Sequence, residues 1–202
     1  RTSLAVSALR IMRYCHKIME ESPLQNYKAR QTALLGMLFA LSMALSFLES
    51  MLTPFLGLMP AMKLGLSNIV VMYAVLFLNR RSALYLMLLK ALFALLTRGV
   101  TAGFLSLCGG ALSLAVFCLL LALPFTITGY IFSVSGALAH NCGQLLGAAA
   151  LLSDKMAITY APMLLIAGLI VGSCTYMVSR LIFPAVKRII PPKSKEESKI
   201  TF

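Results

Sequence analysis

The sequence predicts an all-α, polytopic integral membrane protein with six transmembrane helices, and composition is the first reason. Of the 202 residues, 60% are hydrophobic and only six are acidic, and the mean hydropathy is +0.90. A water-soluble domain of this size could not expose so much apolar surface. The apolar runs are continuous and not alternating, which favours helices over the strands of a membrane barrel.

Six apolar runs account for the predicted membrane spans. A helix needs about 20 residues to cross roughly 30 Å of hydrocarbon, so the second and third runs are short. The runs lie between a basic N-terminal arm, residues 1–30, and a basic C-terminal tail, residues 185–202, which leaves residues 31–184 for the transmembrane domain. The predicted spans cover about residues 32–52, 63–78, 82–97, 104–123, 130–152 and 160–183.

The basic residues predict the orientation of these spans. Of the 18 Lys and Arg, 14 lie in the two tails, in the Arg80–Arg81 turn or at Arg180. The opposite loops hold only Lys63, Arg98 and Lys155. Because positive residues concentrate on the cytoplasmic side, both termini should be cytoplasmic. The positive charge therefore indicates contact with membrane lipid, and we expect no nucleic-acid partner.

Small residues at four-residue spacing mark two spans. Gly36, Ala40 and Ala44 form a stripe on span one that would let another backbone approach closely. This stripe is either a partner-docking face or a packing face for the protein's own helices. A second stripe, on span six, favours internal packing and comprises Gly168, Gly172, Thr175 and Ser179.

Span five is the most polar span, and its small and polar residues fall on one helical face. Polar side chains in hydrocarbon turn towards the bundle interior or a wet cavity, so this face should look inward, with Asn141 to one side. The alternative is an ordinary interhelical hydrogen bond. The face consists of Gly136, Ala139, His140, Gly143, Gln144 and Gly147.

Four charged residues lie in or beside the outer half of the predicted bundle. Glu49 ends span one, Lys63 opens span two, Lys90 lies midway along span three and Arg98 ends it. Each buried charge needs a partner, a wet cavity or a route to the interface. Lys90 and Arg98 could extend their side chains to the interface. The other interpretation is an outward-facing cavity for an anionic or strongly hydrogen-bonding ligand.

Three short motifs resemble those of a known bacterial family. They are Glu49-Ser50, Lys63-Leu-Gly-Leu-Ser-Asn68 and Ala139-His-Asn-Cys-Gly-Gln144. In this order and spacing they resemble the Gx transporter family, whose older name is heptaprenyl diphosphate synthase component I. The resemblance covers about residues 29–183.

This resemblance implies a relation to the S components of energy-coupling factor (ECF) transporters. S components are six-helix proteins of the bacterial cytoplasmic membrane that bind a vitamin or similar micronutrient. In them, a first-helix AxxxA motif docks on a transmembrane T component, and Ala40 and Ala44 match that motif. Two ATPase subunits drive transport, and this sequence accordingly contains no GxxxxGK[ST] phosphate-binding loop.

The older family name implies a prenyl synthase, and the residues argue against catalysis by this chain. Prenyl transfer from a diphosphate usually needs Mg²⁺ held by clustered carboxylates. Asp154 is the single Asp and Glu49 the single acid within a predicted span. We therefore expect no enzyme activity and no bound cofactor or metal. The opposing interpretation is a noncatalytic membrane accessory subunit for polyprenyl or quinone synthesis, or for flavin-based electron transfer.

The sequence thus predicts the substrate-binding subunit of an uptake transporter. Its ligand would be a small molecule that is either anionic, to match the surplus of cations, or strongly hydrogen-bonding. The predicted ligand site lies in the outer half and middle of the bundle, where the helices that carry these residues can converge. It comprises Glu49, Lys63, Asn68, Lys90, His140 and Gln144.

Overall fold

The computed structural model describes residues 32–52, 55, 65–151, 154–189 and 200–201. Lys63, the predicted N-terminal arm and most of the C-terminal tail lie outside these residues. The chain divides into two compact units, residues 1–37 and 38–202. Within the first unit only residues 32–37 are described, and they form the start of α1. The other described elements belong to the second unit. The domain limits predicted from the sequence stay predictions.

The described chain is helical, with one pair of two-residue strands. Three helical segments are long and apolar enough to cross a membrane: Thr32–Leu52, Val100–Ala122 and Ala157–Leu181. The all-α membrane class agrees with these segments, while the count of six spans stays a prediction. The elements are α1 Thr32–Leu52, α2 Asn68–Phe77, α3 Arg80–Arg98, α4 Val100–Ala122, β1 Ile127–Thr128, α5 Gly129–Leu151, α6 Asp154–Ile189 and β2 Ile200–Thr201.

Helix α2 is shorter than predicted, yet it is the most deeply buried. It begins at Asn68 because Gly65 adopts a φ of +94°, and its carbonyl accepts the Asn68 N–H at 2.9 Å. Ten residues rise about 15 Å, half of the hydrocarbon thickness. Val71, Ala74 and most of their neighbours are fully buried, and the helix contacts α3, α4 and α5. A helix that is apolar on all sides belongs in the interior of a bundle.

Helices α3 and α4 form a tight hairpin joined by a single residue, Gly99. Its φ of +90° lies in the region that glycine adopts most easily. A Cβ on Gly103 would lie 2.7 Å from Leu95 Cβ, and one on Gly110 would lie 2.6 Å from Met87 Cγ. The two helices are therefore in close contact along this whole stretch.

Helix α5 packs between α4 and α6 through small residues. A Cβ on Gly143 would lie 2.6 Å from the carbonyl oxygen of Cys108, and one on Gly136 would overlap the ring of Phe117. On the other side, a Cβ on Gly172 would lie 2.7 Å from Val134 Cα. The predicted face of α5 is wholly buried, and the stripe on α6 packs internally, as expected.

The end of the chain returns to the segment that precedes α5. Strands β1 and β2 pair in parallel, with Ile127 opposite Ile200, and both of these side chains are buried. Helix α6 has 36 residues and continues to Ile189, past its predicted end at residue 183. It rises about 54 Å, which exceeds the hydrocarbon thickness of a bilayer. The α4–α5 connection and residues 200–201 thus share one side of the bundle.

We expect Gly143→Ala to destabilise the protein because the new methyl group would meet the backbone of α4. Overpacking of this kind costs about 1–3 kcal/mol. Gly36→Ala is the matched control, since a Cβ there meets no atom within 4 Å. Thermal unfolding in detergent should show a lower midpoint for Gly143→Ala alone. Equal midpoints for the two variants would contradict the close α4–α5 contact.

Candidate functional site

Glu49 is the centre of a buried polar cluster. It lies in the last turn of α1 and has no exposed surface. Its Oε1 accepts the backbone N–H of Ser67 at 3.2 Å, and its Oε2 accepts the Ser67 hydroxyl at 3.4 Å. The Leu66 backbone also donates to the carboxyl group. The turn before α2 therefore presents its donors to this carboxylate.

Lys90 faces the same carboxylate from α3. The residue is only 3% exposed, and its Nζ makes no hydrogen bond to any residue that the structure describes. It interacts electrostatically with Glu49 and with His140. Arg98, two turns later on α3, also interacts with Glu49. The interpretation that the Lys90 side chain extends to the membrane interface is wrong, because its ammonium group is buried inside the protein.

His140 and Gln144 occupy one face of α5, and both are fully buried. Gln144 Nε2 lies 2.8 Å from His140 Nε2. The amide and the imidazole are therefore hydrogen-bonded to each other. Glycines make room for the ring: a Cβ on Gly65 would lie 3.2 Å from His140 Cδ2, and one on Gly109 would lie 2.9 Å from Nδ1.

Asn68 connects three helices beside this cluster. Its Nδ2 donates to the Gly136 carbonyl of α5 at 3.2 Å, and its Oδ1 accepts the Ser113 hydroxyl of α4 at 3.0 Å. Asn141 makes a similar connection on the far side of α5, where its Nδ2 donates to the Leu164 carbonyl of α6 at 2.6 Å. Its predicted sideways orientation is confirmed.

The structure thus brings four of the six predicted ligand residues into one cluster, Glu49, Lys90, His140 and Gln144. Asn68 lies next to the cluster, and Lys63 lies outside the described residues. No three His, Cys, Asp or Glu side chains lie together in the described part of the chain. The cluster therefore offers charges and hydrogen-bond donors, and it offers no set of metal ligands.

Sequence reasoning missed two serines of this region. Ser67 holds Glu49 through both its N–H and its hydroxyl. Ser106 of α4 is 3% exposed, and its hydroxyl has no hydrogen-bond partner among the described residues. The sequence did contain a signal for Ser106. Small residues follow it at the three- and four-residue spacing of one helix face, namely Gly109, Gly110 and Ser113.

The small-residue stripe of α1 is exposed. Gly36, Ala40 and Ala44 all lie on the protein surface, unlike the stripe of α6. Ala40 and Ala44 are thus exposed to a further helix, and their role in docking stays a prediction. Apolar side chains along the same helix are also exposed, namely Met37, Leu41, Phe47, Leu48 and Met51.

Comparison with known protein families places this chain in one of them. The sequence profile described as heptaprenyl diphosphate synthase component I matches residues 38–182. No curated protein matches this chain, and no solved structure matches it. The matched range contains the whole polar cluster and excludes both predicted tails.

We expect the contributions of Glu49 and Lys90 to stability to be coupled, because each compensates the other's charge inside an apolar bundle. Glu49→Gln and Lys90→Met should each destabilise the protein, and the double variant should lose less than their sum by about 1 kcal/mol or more. Unfolding midpoints in detergent of the four proteins in this cycle give the coupling energy. Additive losses would show that the two groups act independently. Lys155→Met, at an exposed position of α6, is the control for loss of a cation.

Proposed function

Since this chain belongs to the heptaprenyl diphosphate synthase component I family, we propose that it is the substrate-binding membrane subunit of an uptake transporter. The transporter would be of the energy-coupling factor type, and its cargo a micronutrient or related small molecule. The observation that carries this proposal is Lys90, a buried cation with no hydrogen bond to a described residue. A protein that only needed a stable core would gain nothing from such a group.

The proposed ligand site combines this unsatisfied donor with fixed polar groups. Glu49 and Gln144 are already hydrogen-bonded, to Ser67 and His140, so their orientations are set before a ligand arrives. Ordered groups of this kind reduce the entropy lost on binding. Lys63 and Asn68 complete the proposed site, with Lys63 towards the outer surface.

The proposed partner surface is the exposed face of α1. Ala40 and Ala44 are exposed side by side, one turn apart, and small side chains let a second helix approach closely. A transmembrane T component would dock there, and its ATPase subunits would supply the energy. Resemblance of this pair to the AxxxA motif of S components supports this partner.

A second candidate function follows from the name of the family. That name describes a component of a synthase, which favours a noncatalytic membrane accessory subunit in polyprenyl or quinone synthesis. An accessory role in flavin-based electron transfer belongs to the same class. The buried cluster contains a single carboxylate, Glu49, so neither role would place diphosphate chemistry on this chain.

Purification from native membranes separates the two functions. Recovery of a T component and ATPases, together with a bound small molecule detected by native mass spectrometry, would support transport. Lys63→Met should then reduce retention of that molecule, whereas Lys155→Met should not. Recovery of a prenyl synthase or redox proteins without a bound small molecule would overturn the transport proposal.

We expect Ala40→Leu and Ala44→Leu to reduce recovery of the T component, because the larger side chains would hold the two backbones apart. Both positions are exposed, so the unfolding midpoint of the isolated subunit should not change. Ala111→Leu, at an exposed position of α4, is the matched control. Recovery at the level of the unmodified protein for all three variants would rule out this face as the docking surface.

We propose that the protein lies in the bacterial cytoplasmic membrane with both termini in the cytoplasm. In a background without native cysteines, a single cysteine at Ser194 should react with an impermeant thiol reagent only after the cells are permeabilised. A cysteine at the exposed Lys155 should react in intact cells. The reverse labelling pattern would contradict the proposed orientation and place the C-terminus outside the cytoplasm.

A further inference from the structure

Three residues of the α3–α4 hairpin, Lys90, Arg98 and Ser106, carry buried polar atoms that make no hydrogen bond to a residue that the structure describes. Among these atoms, Lys90 Nζ and Ser106 Oγ belong to residues that are each only 3% exposed. Because buried donors are nearly always satisfied, two of them in one region indicate that a further group is missing from the bundle.

The contacts of the hairpin place these two residues at the same level. Gly103 lies against Leu95, and Gly110 lies against Met87. Ser106 falls between the two glycines on the same face of α4, since spacings of three and four residues share a helix face. Lys90 lies three residues from Met87 and four from Ala94, so it shares their face of α3. Lys90 also interacts with His140, whose ring lies against Gly109, three residues from Ser106. The ammonium group and the hydroxyl are therefore both placed on the part of the hairpin that lies near His140.

The surrounding groups define the chemistry of a binding partner. The Lys90 ammonium can only donate and the Ser106 hydroxyl can donate, so a partner with acceptor oxygens would satisfy both groups. The acidic and basic side chains that interact in this cluster are Glu49, Lys90 and Arg98, one acid against two bases. One negative charge balances this set. A diphosphate would bring more charge and would need clustered carboxylates to hold Mg²⁺, which the described cluster lacks.

We propose that Lys90 and Ser106 together bind a carboxylate group of the transported molecule, one oxygen to each donor. This inference rests on the proposed function and narrows it to carboxylate-bearing small molecules. Ser106 becomes a binding residue, and Glu49 becomes a positioning residue that holds Lys90 by its charge. The carboxylate replaces the missing acceptors, and its burial between two helices makes both hydrogen bonds stronger than they would be in water.

The test is mass spectrometry of molecules released by denaturing the detergent-purified subunit. We expect a carboxylate-bearing compound in near-stoichiometric amount. The affinity of the subunit for this compound should fall about tenfold in Ser106→Ala, which loses a hydrogen bond to the carboxylate. It should fall about 100-fold in Lys90→Met, which loses the positive charge that balances the carboxylate. Ser173→Ala on α6 and Lys155→Met are the matched controls, and they should bind as the unmodified protein does.

Ser106→Ala keeps the test independent of folding. Its hydroxyl bonds to no described residue, so the unfolding midpoint of the ligand-free subunit should not change. A lower midpoint with unchanged affinity would assign Ser106 to packing and overturn the inference. The mass of the compound also distinguishes a fatty acid taken from the membrane from a water-soluble carboxylate, and either one satisfies the inference.

The failure of this inference is distinguishable from the failure of the transport function. Release of a neutral compound or an organic phosphate would overturn the carboxylate site and leave a substrate-binding subunit. Release of no small molecule would overturn both.

Discussion

The Glu49 carboxylate is the constraint on which the arrangement of the first helices depends. A charge in an apolar bundle must be compensated, and the compensation here comes from the Ser67 backbone and hydroxyl, with Lys90 and Arg98 on α3. To bring the Ser67 donors to the carboxylate, the chain must turn before α2, and Gly65 makes that turn with its φ of +94°. The same turn lets Gly65 lie against the His140 ring. One charge thus connects α1, α2, α3 and α5.

Close packing of backbones is the second requirement, and glycine satisfies it. Along α4 and α5 the glycines meet backbone or ring atoms of the neighbouring helix, as Gly109 meets His140 and Gly143 meets Cys108. In a membrane the apolar effect does not drive helices together, so dense contacts and hydrogen bonds such as those of Asn68 must do so. The polar cluster and the small residues therefore both meet the same need for close contacts between helices. Both exist where α4 and α5 approach α2 and α3.

The sequence predicted the helical membrane class and the inward face of α5, because hydropathy and the 3.6-residue period are local properties. It also singled out Glu49, Lys90, His140 and Gln144, since charge and amide groups are rare in apolar runs. It did not predict where α2 begins. The turn that contains Gly65 brings Ser67 to Glu49, which is 18 residues away in sequence. Ser106 was missed for a related reason: a lone serine in a helix is ordinary until the neighbouring helix shows that its hydroxyl has no partner.

The single-residue connection at Gly99 has a consequence for motion. A hairpin whose helices are joined by one residue, and which are in contact from Gly103 to Gly110, has no slack for one helix to slide along the other. Helices α3 and α4 should therefore move as one rigid body on the microsecond-to-millisecond timescale of collective motions. Opening and closing of the bundle would then change the distance of α1 from this hairpin while Lys90 and Ser106 keep their spacing. The part of the cluster on α3 and α4 would in this sense be preorganised, and Glu49 would move together with Ser67, to which it is hydrogen-bonded.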